Sequence, residues 1–351
     1  MRHFRAMRWM WIALLLCSFP ALAATVSVGT ATAAPGQKAT GYLEVPAGSD
    51  PGMNIPVVVI NGTKPGPTLA LVAGLHGTEY ASIIALEKVI QTADPAQMSG
   101  TLIVVPLVNL ASFQEKVPHV NPFDHKSMNR YYPGNPNGTQ TDRASAVITK
   151  EVVDKCDYLI DLHGGDLDES LRPYAYWSRT GDERLDSASK GMVLAFGLPY
   201  IILVTDRPKN PNDSRYLDNT ATVRGKPAIA AEAGYAGTTD PQDVDALADG
   251  CMNVMRYLKM MPGVASEIEH PVWITKVDSL TSASDGIFYP LVKRGTYVEA
   301  GMKIGYVTDY FGKTVSEARS PAAGVVLYIC AVPSMKKDGN VANIGEVAAQ
   351  P

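Results

Sequence analysis

The sequence has few cysteines and no excess of basic residues. Only four of its 351 residues are cysteine, and none of them stands in a C-x-x-C pair. This spacing argues against a cysteine-based metal site or redox motif. Lysine and arginine together number 31 against 35 aspartates and glutamates, which gives a formal net charge of −4. Because nucleic-acid binding requires a basic face, we exclude nucleic acid as a partner.

Long apolar runs are also absent, except at the N-terminus. Three arginines in the first eight residues precede the apolar stretch Trp9–Phe19, and Ala21-Leu22-Ala23 follows as a small-x-small site. This pattern predicts a signal peptide over residues 1–23, cleaved after Ala23, and a periplasmic or secreted protein. A membrane anchor would need about 20 apolar residues, more than this N-terminal run contains. Because no later segment is long and apolar enough either, we expect no span in the mature chain. A lipoprotein signal at Cys17 is disfavoured because Leu16 is not small.

Removal of this leader takes away three arginines and moves the formal charge from −4 to −7. It also leaves three cysteines, Cys156, Cys251 and Cys330. An exported compartment permits disulfides, but three widely spaced cysteines favour buried small hydrophobic residues with at most one bridge. The sequence leaves the oligomeric state open.

Residues 24–262 alternate short apolar runs with helical patterns, which predicts an α/β sheet covered by helices on both faces. The expected helices are 80–91, 142–155, 183–195 and 244–260. The expected strands are 57–60, 68–73, 102–106, 158–162, 174–177, 200–204 and 228–232. Ligands of such sheets bind at the carboxyl ends of the strands. His76, His163 and Glu232 each fall at or just beyond such an end.

Residues 270–351 carry a glycine-punctuated β pattern with an internal repeat. Gly286 and Gly324 are 38 residues apart, as are Gly301 and Gly339, and each half ends in Ile-Gly-x-Val. Two similar all-β halves predict a small barrel- or sandwich-like domain, which we expect to act as a scaffold or lid. The repeat resembles biotinyl/lipoyl carrier domains. Lys313 lies between the halves, but the methionines that flank the modified lysine of the biotinyl motif are missing there, so we disfavour covalent modification.

His76 and Glu79 form an H-x-x-E pair between an expected strand and an expected helix. A histidine in the loop and a carboxylate one turn into the helix can converge on one ion. Catalytic zinc usually has three protein ligands, and His163 at the end of Asp161-Leu162-His163 is the candidate for the third. Asp161 lies on the same strand face as His163. We expect it either to orient that imidazole or the metal-bound water, or to cap a neighbouring turn.

Taken in order, the four motifs resemble the succinylglutamate desuccinylase/aspartoacylase family of zinc hydrolases, relatives of zinc carboxypeptidases. They are His76-x-x-Glu79, Asn129-Arg130, Asp161-Leu162-His163 and Glu232-Ala233-Gly234. The resemblance extends from about residue 55 to the C-terminus and implies a carboxypeptidase-like mixed sheet. It implies that His76, Glu79 and His163 bind one zinc ion and that Glu232 is the general base.

The same resemblance implies that Asn129 and Arg130 bind a substrate carboxylate, for which the planar guanidinium is suited. The family's further arginine before the Asn-Arg pair is missing from residues 117–126. We consider four residues as its replacement: His119, His125, Lys126 and Arg143. The expected function is an exported zinc deacylase that cleaves an amide, or an ester, in a small carboxylate-bearing substrate such as an N-acyl amino acid. A carboxypeptidase-like enzyme acting on peptides or cell-wall fragments is the alternative, and a non-catalytic binding protein is the second alternative.

Overall fold

A computed structural model describes residues 23–350, so the expected signal peptide lies outside the described residues, apart from Ala23. The described part is a mixed α/β fold. Its helices are α1 (Tyr80–Thr92), α2 (Leu110–Glu115), α3 (Gln140–Ile148), α4 (Glu183–Phe196), α5 (Leu217–Thr222) and α6 (Pro241–Tyr257). Short 3₁₀ turns occupy Pro95–Gln97 and Met128–Arg130, and a π-helical turn occupies Thr149–Val153.

Eighteen strands occur in the described residues. The first ten are β1 (Val26–Val28), β2 (Ala31–Ala33), β3 (Gln37–Val45), β4 (Met53–Asn61), β5 (Lys64–Ala73), β6 (Ser99–Val105), β7 (Tyr158–His163), β8 (Glu169–Ser178), β9 (Tyr200–Val204) and β10 (Ala228–Tyr235). The last eight are β11 (Val272–Thr281), β12 (Gly286–Pro290), β13 (Tyr297–Val298), β14 (Lys303–Thr308), β15 (Thr314–Arg319), β16 (Gly324–Cys330), β17 (Ser334–Met335) and β18 (Asn340–Ala348).

Twelve of these strands form one continuous sheet, in the order β13-β16-β18-β11-β9-β8-β10-β7-β5-β6-β4-β3. Its centre, β6-β5-β7-β10, is parallel, and antiparallel strands continue it on both sides. Parallel strands need crossover connections, which here carry helices to both faces. Helices α1, α4 and α6 pack on one face, and α3 and α5 pack on the other.

Alternate residues of each central strand belong to two separate cores. In β5, Leu69 and Leu71 pack with Leu86 and Val89 of α1, whereas Val72 faces the opposite core. This alternation is the period-2 geometry of a strand buried on both sides. The predicted helix 142–155 is observed as α3 followed by the π-helical turn. The structure also has strands β1–β3 and helices α2 and α5, which the sequence patterns did not indicate.

Strands β8, β9, β11, β18 and β16 pair in a closed ring, because β16 also pairs with β8. This ring is a five-stranded barrel, and two of its strands come from the α/β part of the chain. Hydrogen bonding therefore crosses the boundary at residues 262–270 that the sequence predicted; the division into two domains stays a prediction.

The internal repeat is visible in the strand pairing of the tail. In the first half β12 pairs with β14, and in the second half β16 pairs with β18. The short strands are exchanged between the halves: β13 pairs with β16, and β17 pairs with β12. β15-β14-β12-β17 forms a separate four-stranded sheet.

The three cysteines Cys156, Cys251 and Cys330 are buried and free of disulfides in the described part of the chain. Across residues 23–350, no helix combines the length and the apolar character needed to cross a bilayer.

Candidate active site

His76 and Glu79 lie in the loop between β5 and α1, at the carboxyl edge of the sheet. Gly77 is required in this loop because a Cβ atom there would lie 2.4 Å from the backbone nitrogen of Phe113. Glu79 directly precedes α1 and is 4% exposed. Its carboxylate therefore enters a buried space at the start of a helix, where the helix dipole favours a negative charge.

The Glu79 carboxylate contacts two imidazoles. Oε1 lies 2.7 Å from Nδ1 of His76, and Oε2 lies 2.9 Å from Nδ1 of His163. The backbone nitrogen of Gly164 also donates to Oε2. One donor atom from each of the three side chains lies within 4.8 Å of the other two.

Burial and neighbouring charges shift the pKa values of Glu79 and His163. Burial raises the pKa of the Glu79 carboxyl, but the charges and hydrogen bonds of His163 and His76 together hold it far below its ordinary range. Burial also opposes the charged form of His163, yet Asp161 and Glu79 raise its pKa well above the usual value. Two imidazoles and one carboxylate are a donor set that zinc accepts. The three residues therefore fit one divalent cation.

Further contacts fix the rings of the two histidines. Ser127 Oγ lies 3.1 Å from Nε2 of His76. Oδ1 of the fully buried Asp161 lies 3.2 Å from Nε2 of His163. This position is compatible with orientation of the His163 ring, as carboxylates behind ligand histidines do, and the role of Asp161 stays a prediction.

Glu232 is brought to the same place by strand pairing. It lies opposite His163 in the parallel pair β10–β7 and opposite Tyr174 in the antiparallel pair β10–β8. The Tyr174 hydroxyl donates to Glu232 Oε2 over 2.6 Å. Burial and the nearby Glu79 raise the pKa of Glu232, although His163 and Tyr174 oppose this effect. Tyr174 was predicted only as a strand residue.

A cavity of about 530 Å³ opens beside these groups, lined among others by His163, Glu232, Asn129 and Arg130. The Asn129 amide is engaged within the protein, since Oδ1 accepts from the backbone nitrogen of Leu217 and Nδ2 lies 3.0 Å from Nε2 of His163. Asn129 therefore holds the wall of the pocket. Its expected contact with substrate, and that of Arg130, stay predictions.

None of the four replacements considered for the missing arginine lines this cavity. Arg143 points from α3 to the loop 46–51 and pairs with Asp50, and Lys126 pairs with Asp142. His119 lies between Asp166 and Asp168. Three cations line the cavity, namely Arg130, Arg207 and Lys276. Arg207 comes from the connection between β9 and α5. This irregular segment carries no motif that would have pointed to it.

Residues 65–258 match the model of the succinylglutamate desuccinylase/aspartoacylase catalytic domain. The chain is 28% identical over 318 residues to the N-alpha-acetyl-L-2,4-diaminobutyric acid deacetylase of Halomonas elongata (strain ATCC 33173 / DSM 2581 / NBRC 15536 / NCIMB 2198 / 1H9). That alignment covers 88% of this chain and 91% of the relative.

Two solved structures share the fold over nearly the whole described chain. The product-bound ectoine utilization protein EutE (DoeB) of Ruegeria pomeroyi superposes with a TM-score of 0.79 at 25% identity, covering 88% of this chain and 95% of that one. A succinylglutamate desuccinylase/aspartoacylase of Rhodobacter sphaeroides superposes with a TM-score of 0.78 at 21% identity, covering 89% and 95%.

Proposed function

The chain belongs to the succinylglutamate desuccinylase/aspartoacylase family, and from this premise we propose that it is an exported, zinc-dependent deacylase. Its substrate class is small carboxylate-bearing amides such as N-acyl amino acids. The deacetylase activity named for the Halomonas elongata relative supports this class. One observation carries the proposal: the half-buried carboxylate of Glu232 lines the same pocket as His163, a member of the His-Glu-His donor group.

His76, Glu79 and His163 would hold the metal, and we propose zinc because this donor set suits it. Zinc in such a site supplies Lewis-acid chemistry, in that it polarises a carbonyl and brings the pKa of water to about 7. The remaining chemistry belongs to the side chains. Glu232 takes a proton from the attacking water and returns it to the leaving amine, the dual task of a general base and acid. Its raised pKa suits both directions of transfer.

The positions of the groups around Glu232 support this role. The Tyr174 hydroxyl holds one carboxylate oxygen, so the other stays available for proton transfer. Arg130 lines the same pocket and would bind the substrate carboxylate, which orients the scissile amide relative to Glu232.

Hydrolysis by the zinc-loaded protein tests the proposal. The panel comprises N-acetyl amino acids, an N-succinyl amino acid and short peptides, with the peptides testing the carboxypeptidase-like alternative. The variant Glu232→Gln should lose about 10²–10⁴-fold in kcat, the usual contribution of general acid–base catalysis, while keeping its zinc. Turnover of no compound by the wild type would favour a non-catalytic binding protein.

Export rests on the N-terminal pattern alone and is tested separately. The full-length gene is expressed with its first 23 residues intact, and the periplasmic fraction is collected. A mature N-terminus at Ala24 supports cleavage after Ala23. A chain that stays in the cytoplasm with Met1 intact overturns it.

A further inference from the structure

Arg207 lines the active-site pocket, but its hydrogen-bonding capacity is almost unused among residues 23–350. Its nearest carboxylate oxygen is Asp218 Oδ2, 3.7 Å from Nη2, and its buried Nε has no partner. Only 18% of the side chain is exposed. A buried N–H donor of a charged guanidinium is costly to leave unpaired.

Two other arginines of the described chain use their donors within the protein. Arg143, 3% exposed in its side chain, makes five hydrogen bonds to oxygens of the loop 46–51 and of Gly138. Arg294 donates to the carbonyls of Leu171 and Gly234 and to Asp243. Arg172 also has an unpaired buried Nε, but it stacks on Tyr200 and does not line the cavity. Among the cavity-lining arginines only Arg207 has such an Nε, and we read this as space for a ligand.

The ring of Tyr216 stacks on the flat face of the Arg207 guanidinium and holds it in place. Its guanidinium carbon lies 3.8 Å from the centroid of the Tyr216 ring, and that of Arg130 lies 4.8 Å from the same centroid. Stacking occupies the face of a guanidinium and leaves its in-plane donors available to a carboxylate. The two arginines are thus neighbours on one aromatic ring, in the pocket that contains Glu232.

A second cavity shares Arg207 and Thr205 with the first. This second space of about 180 Å³ is lined by Arg207 together with Arg179, Lys209 and Thr205. Its cationic side chains favour an anionic group, and its volume provides room for a short extension of the ligand.

We propose that Arg207 receives a carboxylate of the substrate and is a specificity-determining residue of this enzyme. The inference rests on the proposed function and assigns this site a residue that the family resemblance did not indicate. Three carboxylates have the required chemistry: the α-carboxylate, one on the amino-acid side chain, and one on the acyl group. Each would pair in the plane of the guanidinium through two oxygens.

The test compares Arg207→Gln and Arg207→Lys with the control Arg215→Gln in zinc-loaded protein. Arg215 lies in the same connection, pairs with Asp213 at 3.6 Å and is 58% exposed. The substrates are N-acetylalanine, N-acetylaspartate and N-succinylalanine. For Arg207→Gln we expect KM to rise about 10- to 100-fold, the value of a charge-assisted pair, with kcat within about threefold of wild type. Lysine should restore part of the loss, and the control should match wild type.

A comparison of the three substrates identifies which substrate carboxylate Arg207 binds. An equal rise in KM on all three compounds assigns the α-carboxylate, and a rise limited to N-acetylaspartate or N-succinylalanine assigns the second one. An unchanged KM for Arg207→Gln, or the same rise for Arg215→Gln, overturns the proposal. If the wild type hydrolyses none of the compounds, the proposed function fails and calorimetric titration with succinate decides the inference. Weaker binding in Arg207→Gln alone then supports it, and equal binding overturns it.

Discussion

The hydrogen bond between Tyr174 and Glu232 makes a quantitative prediction for the variant Tyr174→Phe. The change removes one buried hydroxyl that donates over 2.6 Å to the carboxylate and leaves the ring in place. A hydrogen bond to a charged group contributes about 1.5–3 kcal/mol, and one pKa unit corresponds to about 1.36 kcal/mol. Since this bond favours the ionised form, its loss should raise the pKa of Glu232 by about 1–2 units.

The assay is the pH profile of kcat/KM. The acid limb should move to higher pH by about 1–2 units, because Glu232 must be ionised to accept a proton, while the rate on the plateau should change little. Tyr328→Phe is the control, since this buried tyrosine of the same barrel bonds to the Asn340 carbonyl instead. An unmoved acid limb in Tyr174→Phe, with zinc content and fold intact, would refute the assignment of Glu232 as the titrating base.

Three further predictions concern binding and stability. Glu79→Gln should reduce zinc measured by mass spectrometry from about one ion per chain to near none, because a carboxylate ligand is lost; retained zinc would contradict the assignment. Asp168 and Asp166 raise the pKa of His119 from 6.5 to about 9 against the effect of burial, so its stabilisation is complete below pH 6.5 and fades as pH rises through 9. Urea unfolding of His119→Asn should show a loss of about 1 kcal/mol at pH 6, discounted for solvent exposure, and little difference from wild type at pH 9.5. Arg294→Met should lower the free energy of unfolding by about 2–4 kcal/mol because the Gly234 carbonyl loses a charged donor; an unchanged midpoint in urea would contradict this.

The site residues that lie at or just beyond strand ends could be predicted from the sequence. Strand ends position His76 and His163, and parallel neighbours in a sheet bring such ends to one edge. The family assignment from these motifs is confirmed. Glu232 lies opposite His163 as strand-end reasoning predicts, while its catalytic role stays a prediction.

The remaining features depend on contacts between distant segments. Tyr174 acquires its partner through the pairing of β8 with β10, and nothing in its own neighbourhood distinguishes it from other strand tyrosines. Arg207 is placed by an irregular connection without periodicity. Closure of the barrel likewise depends on a pairing between β8 and β16, segments that lie more than a hundred residues apart. Periodicity reports which face of an element is buried, but it does not report which element covers that face.

The shared barrel has a consequence for how the chain acquires its activity during synthesis. Domains fold from the N-terminus onward, but this ring cannot close until β18, which ends at Ala348, has been made. Until then the ring stays open, and β8, which carries Tyr174, is not yet part of a closed barrel. Such distant pairings predict slow folding with a late step. Activity should therefore appear only once β18 has been made, and loss of this strand, more than 100 residues after Glu232 in the sequence, should abolish it.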